Sequence, residues 1–357
     1  MTKHRVLDLF CGCGGLSEGF RLAGYDIVMG IDINAPAIET YNYNFGDGKG
    51  VCCDLLNYDE SSIVHSKAME EKVDVIIGGP PCQGFSAANR WNDTSNDVRN
   101  KLFFEYVKFV DLLKPKAIVI ENVRQILTLN NGYACKTIYE IFESRGYTVN
   151  HCVLNAEDYG VPQKRRRNFF VILKNKKFDF DTLKKTRLYT VKDAIGDLYS
   201  CKKNDTGEYK GKKANENNLF LKYVRNSDYI YNHYISYPTM ATQLKMSYVP
   251  QGGNWENIPP ELFKTIRNNR HSSAYRRLDE NLPSVTIDTG NAHSNYYHPL
   301  FNRIPTVREA ARLQSFSDAF VFKGSKSEQY RQVGNAVPPL LSKALASAIL
   351  EAIDDEK

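Results

Sequence analysis

The chain has 357 residues, 42% of them hydrophobic and 25% charged, with a net charge of +6 at pH 7. That is room for about two domains of roughly 100–200 residues, in globular rather than disordered or fibrous usage. No run approaches the ~20 uninterrupted apolar residues of a membrane-spanning helix. The first residues lead straight into a strand-like run with no signal-peptide core, so a cytoplasmic protein without a membrane partner is expected.

Residues 6–10 form a short apolar run ending in glycines, with a helix expected over 17–23. A second strand over 27–31 closes on Asp32, followed by a helix over 35–43. A strand over 73–77 ends in Gly78-Gly79-Pro80-Pro81. A helical pattern over 102–113 leads to a strand over 117–120 that ends at Glu121. Another helix, 137–144, precedes strands over 148–154 and 168–173. This alternation predicts an α/β fold with a parallel, doubly wound sheet, whose ligands sit at the carboxyl ends of the strands. Past Lys174 the texture changes. Residues 200–235 are rich in Lys, Asn and Tyr without clear periodicity, and helices return over 306–314 and 340–353.

Eight cysteines on so long a chain exclude a small disulfide scaffold, and no CxxC pair or Cys/His ladder suggests a metal. Charge is unevenly spread. Residues 161–225 hold eighteen Lys or Arg against seven Asp or Glu, a net +11 that leaves −5 for the rest. Such a patch suits nucleic acid, although a solvated lysine-rich linker would read the same.

Several constellations cluster at the expected strand ends. In Asp8-Leu9-Phe10-Cys11-Gly12-Cys13-Gly14-Gly15 the glycines let backbone approach a ligand, and Asp32, twenty residues after Gly12, is placed to hold ribose hydroxyls. Asp54 is placed to accept from an adenine amino group. A tight structural turn is the alternative for the glycines. In Gly79-Pro80-Pro81-Cys82-Gln83-Gly84 a cysteine follows two rigid prolines, as a nucleophile would; a buried inert thiol is the alternative. Glu121 in Glu121-Asn122-Val123 is a candidate proton donor if apolar neighbours raise its pKa, or a helix-capping acid. Gln163, Arg165 and Arg167 alternate and so would share one strand face, fit for a phosphate or carbonyl oxygen or simply solvated. Gly334-Asn335-Ala336-Val337-Pro338-Pro339 by itself marks only a helix start.

The order of these blocks resembles the DNA (cytosine-5) methyltransferase family over nearly the whole chain. Pro80-Pro81-Cys82-Gln83, Glu121-Asn122-Val123, Gln163-x-Arg165-x-Arg167, the segment Thr306 to Gln314 and Gly334-Asn335-Ala336-Val337 carry the resemblance. Two departures are visible: Ser315-Phe316-Ser317-Asp318 stands where the family more often has Gly-Phe-Pro-Asp, and Cys11 and Cys13 fill variable positions of the glycine loop.

The resemblance implies a Rossmann-like methyltransferase domain, 1–185 completed by 305–357, and a smaller, irregular target-recognition domain, 186–304. It implies S-adenosyl-L-methionine as methyl donor, no metal, and contacts to the donor from Phe10, Gly12, Gly14, Asp32, Ile33, Asp54, Leu55, Pro80, Leu102, Asn335 and Val337. Cys82 would add to carbon 6 of a flipped-out cytosine, Glu121 would donate to ring nitrogen 3, and Arg165 and Arg167 would stabilise the base's carbonyl oxygen. Gln83, Ser86, Arg99 and Gln163 would contact DNA. The expected partner is double-stranded DNA, bound by a bacterial monomer working beside, but not in stable complex with, a restriction endonuclease.

Rival readings are a cytosine methyltransferase acting on RNA, a non-catalytic DNA-binding module and a nicotinamide-dependent oxidoreductase. Gly84-Phe85-Ser86 after the cysteine motif, rather than Phe-Thr, favours DNA. The presence of Cys82, Glu121 and both arginines disfavours the second, and Pro81-Cys82 with Gln163–Arg167 is unexplained by the third.

Overall fold

The computed structural model describes residues 3–81, 98–211, 218–263, 274–289 and 296–354. Cys82, Gln83 and Ser86 lie outside these residues, and so does the side chain of Arg99. By its contacts the chain divides into two compact units. One comprises Met1–Asn155, Arg166–Lys185 and Pro339–Lys357, the other Ala156–Arg165 and Thr186–Pro338.

The first unit begins with β1 (Arg5–Leu9), α1 (Gly15–Leu22), β2 (Asp26–Asp32), α2 (Ala35–Phe45), β3 (Gly50–Cys52) and α3 (Tyr58–Glu70). It continues with β4 (Val75–Gly78), α4 (Val98–Leu113), β5 (Ala117–Asn122), α5 (Tyr133–Glu143), β6 (Tyr147–Asn155) and β7 (Arg166–Lys174). The strands form one seven-stranded sheet in the order β3-β2-β1-β4-β5-β7-β6. Its central strands are apolar on both faces, with Val6, Leu7, Val75, Ile76, Ile118 and Val119 all fully buried, as a sheet covered by helices on both sides requires.

β1 pairs in parallel with β2 and β4, and β4 with β5, but β7 runs antiparallel to both β5 and β6. Within the expected parallel, doubly wound sheet one strand, β7, is therefore reversed. Antiparallel neighbours need no crossover α-helix, and only a 3-10 turn, Ala156–Tyr159, and irregular chain separate β6 from β7. The chain winds outward from β1 to β3, then returns to β4 on the other side of β1. The loops after β1 and β4 thus open at the point where the strand order switches, the position where such sheets bind ligands.

Local signals explain the helices. Asn34 caps α2 by accepting from the Ala37 N–H, and Pro36 sits in the first turn, where its missing N–H costs nothing. β3 and α3 were not anticipated as elements: β3 is three residues long, and α3 carries only a weak apolar stripe behind its Asn57 cap.

The second unit contains α6 (Val191–Ile195), β8 (Tyr209–Lys210), α7 (Leu219–Val224), β9 (Tyr229–Ile230), α8 (Met240–Ser247), β10 (Arg276–Arg277), β11 (Tyr296–Tyr297), α9 (Val307–Leu313) and α10 (Lys326–Asn335). The chain then returns to the first unit with α11 (Pro339–Asp354). There α11 packs on α1, where Gly19 leaves room for Ser342, whose Oγ donates to the Leu16 carbonyl at 2.7 Å. The span Lys326–Asp354 has the length and hydropathy of a membrane helix, yet 61% of that window is buried and a non-helical break at 336–338 divides it into α10 and α11.

Every residue of α9 is buried, including Arg308, Glu309 and Arg312. Thr306 and Glu309 form a capping box at its start. Arg303 grips Glu309 with two bonds of 2.6 and 2.7 Å, and Arg312 grips Asp318 with bonds of 2.8 and 2.6 Å.

Candidate active site

β1 delivers the glycine loop. Phe10, Gly12 and Gly14 have φ of 60°, 53° and 95°, so the chain turns sharply through the left-handed region. Gly14 is irreplaceable sterically as well: a Cβ there would lie 2.4 Å from the Phe45 ring. Gly12, by contrast, faces open space, and its N–H donates to Asp32 Oδ2 at 2.8 Å. Asp32 Oδ1 accepts the Asn34 N–H at 2.8 Å. Burial raises the Asp32 pKa, and backbone N–H bonds from Asn34, Gly12 and Ile33 pull it back down. Three of the carboxylate's four acceptor positions are then used, which leaves one for a further donor such as a ribose hydroxyl.

A cavity of about 320 Å³ opens beside this loop. Six of the residues expected to hold a cofactor line it: Phe10, Asp32, Ile33, Asp54, Leu55 and Leu102. Ile31, Cys53, Leu56 and Pro81 complete the wall and were missed, although each adjoins an expected residue in sequence. The lining is mostly apolar with two carboxylates. Asp54 is fixed by accepting the Leu56 N–H at 3.0 Å, while Glu60 holds the Asp54 N–H at 2.7 Å. This chemistry matches the adenosine part of S-adenosylmethionine: flat apolar walls for a purine and acids for its hydroxyls and amino group.

The carboxyl end of β5 supplies the acid. Arg167 Nε, on β7, lies 3.0 Å from Glu121 Oε1, with both side chains less than one-fifth exposed. Gly79 follows β4 at the same end of the sheet. A Cβ on it would stand 3.2 Å from Glu121 Oε2, so glycine makes room for the carboxylate. The adjacent Asn122 donates from Nδ2 to the Pro80 carbonyl at 2.9 Å and accepts the Val123 N–H. Pro80 is buried. The acid and the proline loop that leads in sequence to Cys82 are thus tied together by side chains of neighbouring residues.

Five of the described cysteines contrast with a nucleophile. Burial pushes the Cys13 thiol up to about 12 and Cys53 to about 11, and raises Cys11, Cys135 and Cys152 too, so thiolate is scarce at each.

Two expectations need correction. Gln163, Arg165 and Arg167 do not share a strand face, because β7 begins only at Arg166. The preceding segment bridges instead to Ser284 in the second unit. There Gln163 is fully buried: its Nε2 donates to the Leu313 carbonyl and Gln314 Oε1, and its Oε1 accepts the Ile287 N–H. With its amide consumed, it has nothing to offer DNA. Arg165 is 1% exposed and donates to the carbonyls of Ile287 and Gly334, both at 3.0 Å. It anchors the turn that precedes Asn335 and Val337, of which the first is exposed and the second buried. Among the described residues no cluster of three or more His, Cys, Asp or Glu is placed to hold a metal.

Comparison with known proteins agrees with this geometry. The family model for C-5 cytosine-specific DNA methylases matches residues 4–351. The Type II methyltransferase M1.HphI of Haemophilus parahaemolyticus is 40% identical over 354 residues, spanning 98% of this chain and 87% of its own. M.DdeI of Desulfomicrobium norvegicum, also a Type II methyltransferase, is 34% identical over 370 residues, 96% of this chain and 88% of its own. A solved structure described as a DNA modification methyltransferase encoded within an E. coli prophage superposes with a TM-score of 0.79 at 27% identity, covering 99% of this chain and 100% of its own. A match from residue 4 to residue 351 leaves no doubt of kinship: the chain belongs to the C-5 cytosine-specific DNA methylase family and is a DNA (cytosine-5-)-methyltransferase.

Proposed function

We propose that the protein methylates carbon 5 of a cytosine flipped out of a short specific sequence in double-stranded DNA, through a covalent adduct with Cys82, and that it protects DNA from a cognate endonuclease. The observation that carries the reading is the Glu121–Arg167 pair at the same sheet end as the Gly79-Pro80 loop. S-adenosylmethionine, when bound, supplies an electrophilic methyl group. Phe10, Ile33, Leu55 and Leu102 would enclose its adenine, with Asp32 on the ribose and Asp54 on the amino group.

Carbon 5 of cytosine is a poor nucleophile by itself. Addition of the Cys82 thiolate to carbon 6 moves electron density onto carbon 5, and Glu121 supports that addition with a proton or hydrogen bond at ring nitrogen 3. Arg167 holds the Glu121 carboxyl in place and offers its guanidinium to the base's carbonyl oxygen. After carbon 5 gains its methyl group, loss of its proton expels the thiolate and restores the ring. Arg165 acts through the main chain, as a positioning residue for the Gly334-Asn335 turn rather than as a group on the base. Recognition falls to the second unit, above all residues 186–304, where exposed lysines would meet phosphates.

The test is to map 5-methylcytosine in DNA from cells expressing the protein. A recurring short methylated sequence is expected with the native chain, and none with Cys82→Ala, which should still bind the methyl donor. Activity confined to RNA, or undiminished turnover by Cys82→Ala, would overturn the reading.

A further inference from the structure

Behind the glycine loop lies a buried carboxyl that the chemistry above does not use. Asp8, on β1, is 1% exposed. Its Oδ2 accepts from Ser17 Oγ of α1 at 2.6 Å, and Ser17 Oγ is 2.9 Å from the Tyr41 hydroxyl of α2. Since the serine proton points to Asp8, the tyrosine donates to the serine, and Asp8 is the terminal acceptor of a two-hydroxyl chain. Both hydroxyl residues are fully buried. Asp8 Oδ1 is buried with no hydrogen-bond partner among the described residues.

The chain ends on the loop itself. The Tyr41 ring stands 3.0 Å from where a Gly14 Cβ would be, and 2.4 Å from where one on Gly30 would be, so both glycines shape themselves to this tyrosine. The titratable groups that face Asp8 are Asp32 from β2, Tyr41 from α2, Tyr106 from α4, and Cys11 and Cys13 from the loop. None carries positive charge. Burial, with the like charge of Asp32 adding to it and the Ser17 bond opposing it, pushes the Asp8 carboxyl up to about 7. With no cation facing it, this carboxyl would gain charge from any positive group bound beside the glycine loop, and the sulfonium of a methyl donor is one.

We propose that Asp8 is a positioning residue for the methyl donor: through Ser17 and Tyr41 its carboxylate fixes the glycine loop, and uptake of the cationic donor is coupled to loss of the Asp8 proton. This rests on the methyl-donor reading and adds a residue and a proton to it. By linkage, whatever favours the carboxylate favours the donor, and the reverse.

The experiment is calorimetric titration of the full chain with S-adenosylmethionine and with the uncharged thioether S-adenosylhomocysteine, from pH 6 to 8.5, for the native protein, Asp8→Asn and Ser17→Ala. The ratio of native to Asp8→Asn affinity for the cationic donor should rise about tenfold between pH 6 and 8, as one linked proton with a midpoint near 7 requires, and less for the thioether. Ser17→Ala keeps the carboxyl but removes the donor that stabilises its charge, so its midpoint should move to higher pH. A ratio independent of pH, or an unmoved midpoint in Ser17→Ala, overturns the proposal, and the second arm decides should Asp8→Asn fail to fold. Absence of binding by either ligand at any pH would instead overturn the methyl-donor reading itself.

Discussion

Glu309→Gln should be among the most damaging single-atom changes available to the second unit. Its carboxylate takes two bonds from Arg303 and one of 2.7 Å from the Thr306 N–H, with both charged side chains 0–1% exposed. His298 Nε2 lies 3.4 Å from Glu309 Oε1, while its Nδ1 accepts the N–H groups of Leu300 and Phe301, which places the ring proton on Nε2. A glutamine would keep one acceptor but turn an amide donor toward Arg303 and His298, and it would leave the guanidinium charge without its counter-ion. Stranding one member of a buried pair costs about 3–5 kcal/mol, a large part of the about 5–15 kcal/mol that holds a domain. Arg303→Met with Glu309→Leu removes both charges and should recover most of that loss. Hydrogen exchange of amides in 300–314 reads this unit by itself, and opening there should become on the order of a hundredfold or more easier in the single variant. A single-variant cost below about 1 kcal/mol, or a double variant as damaged as the sum of its singles, would refute the coupling.

Acid should act on the same network through histidine, not glutamate. Arg303 holds the Glu309 carboxyl well below its ordinary range, against the opposing effect of burial, so its contribution survives until pH falls through that depressed value. Burial lowers His233 from 6.5 to about 4, so the unfolded chain takes up a proton that the folded one refuses. Stability present above 6.5 is then lost as pH falls toward 4, about 2 kcal/mol of it by pH 5; burial lowers His298, His65 and His151 as well, so urea unfolding should show a steeper slope in the native chain than in His233→Gln, and equal slopes would contradict it. Gly79→Ala puts a methyl 3.2 Å from Glu121 Oε2 and should displace the carboxylate by a few tenths of an ångström. Turnover should fall roughly tenfold with melting temperature and donor affinity unchanged; unchanged turnover would remove Glu121 from the reaction.

The alternation of strands and helices in the first unit was legible because each strand is a short apolar run bounded by turn residues, and the glycine loop and Glu121 stand where those runs stop. β3 was not, since three residues carry no period. α10 escaped notice because it is polar, although Ser325 and Glu328 form a capping box that the sequence displays openly. The alternation of Gln163, Arg165 and Arg167 misled for a different reason. It assumed the strand already in place, whereas pairing with Ser284, far along the chain, decides where β7 begins. Ser315 also behaves unlike its surroundings in sequence. It sits at φ 66°, in the position where the family more often has glycine, so the turn keeps a glycine's conformation under a serine.

Why the second unit should bury so many arginines follows from its lack of ladders. Its strands are two residues long, so most of its carbonyls have no neighbouring strand to bond them. Guanidinium groups take that place. Arg277 donates to the carbonyls of Val249, Met246, His298 and Phe301, Arg308 to those of Tyr231, Ser317 and Phe320, and Arg165 to those of Ile287 and Gly334. A fixed fork of five donors crosslinks irregular backbone in a way one ammonium cannot, so lysine at these positions is not a conservative change. The same use of arginine alters the meaning of the +11 carried by residues 161–225. Arg165 and Arg225 belong to it, yet the first is consumed by carbonyls and the second is paired with Asp197. The charge left to attract a polyanion is carried by exposed side chains such as Lys202, Lys203, Lys210, Lys222, Arg166 and Arg187, of which the lysines would meet phosphate as point charges without reading bases. On the proposed reading, sequence discrimination would come from exposed polar, aromatic and arginine side chains of the second unit, while its buried arginines hold the frame on which those side chains stand.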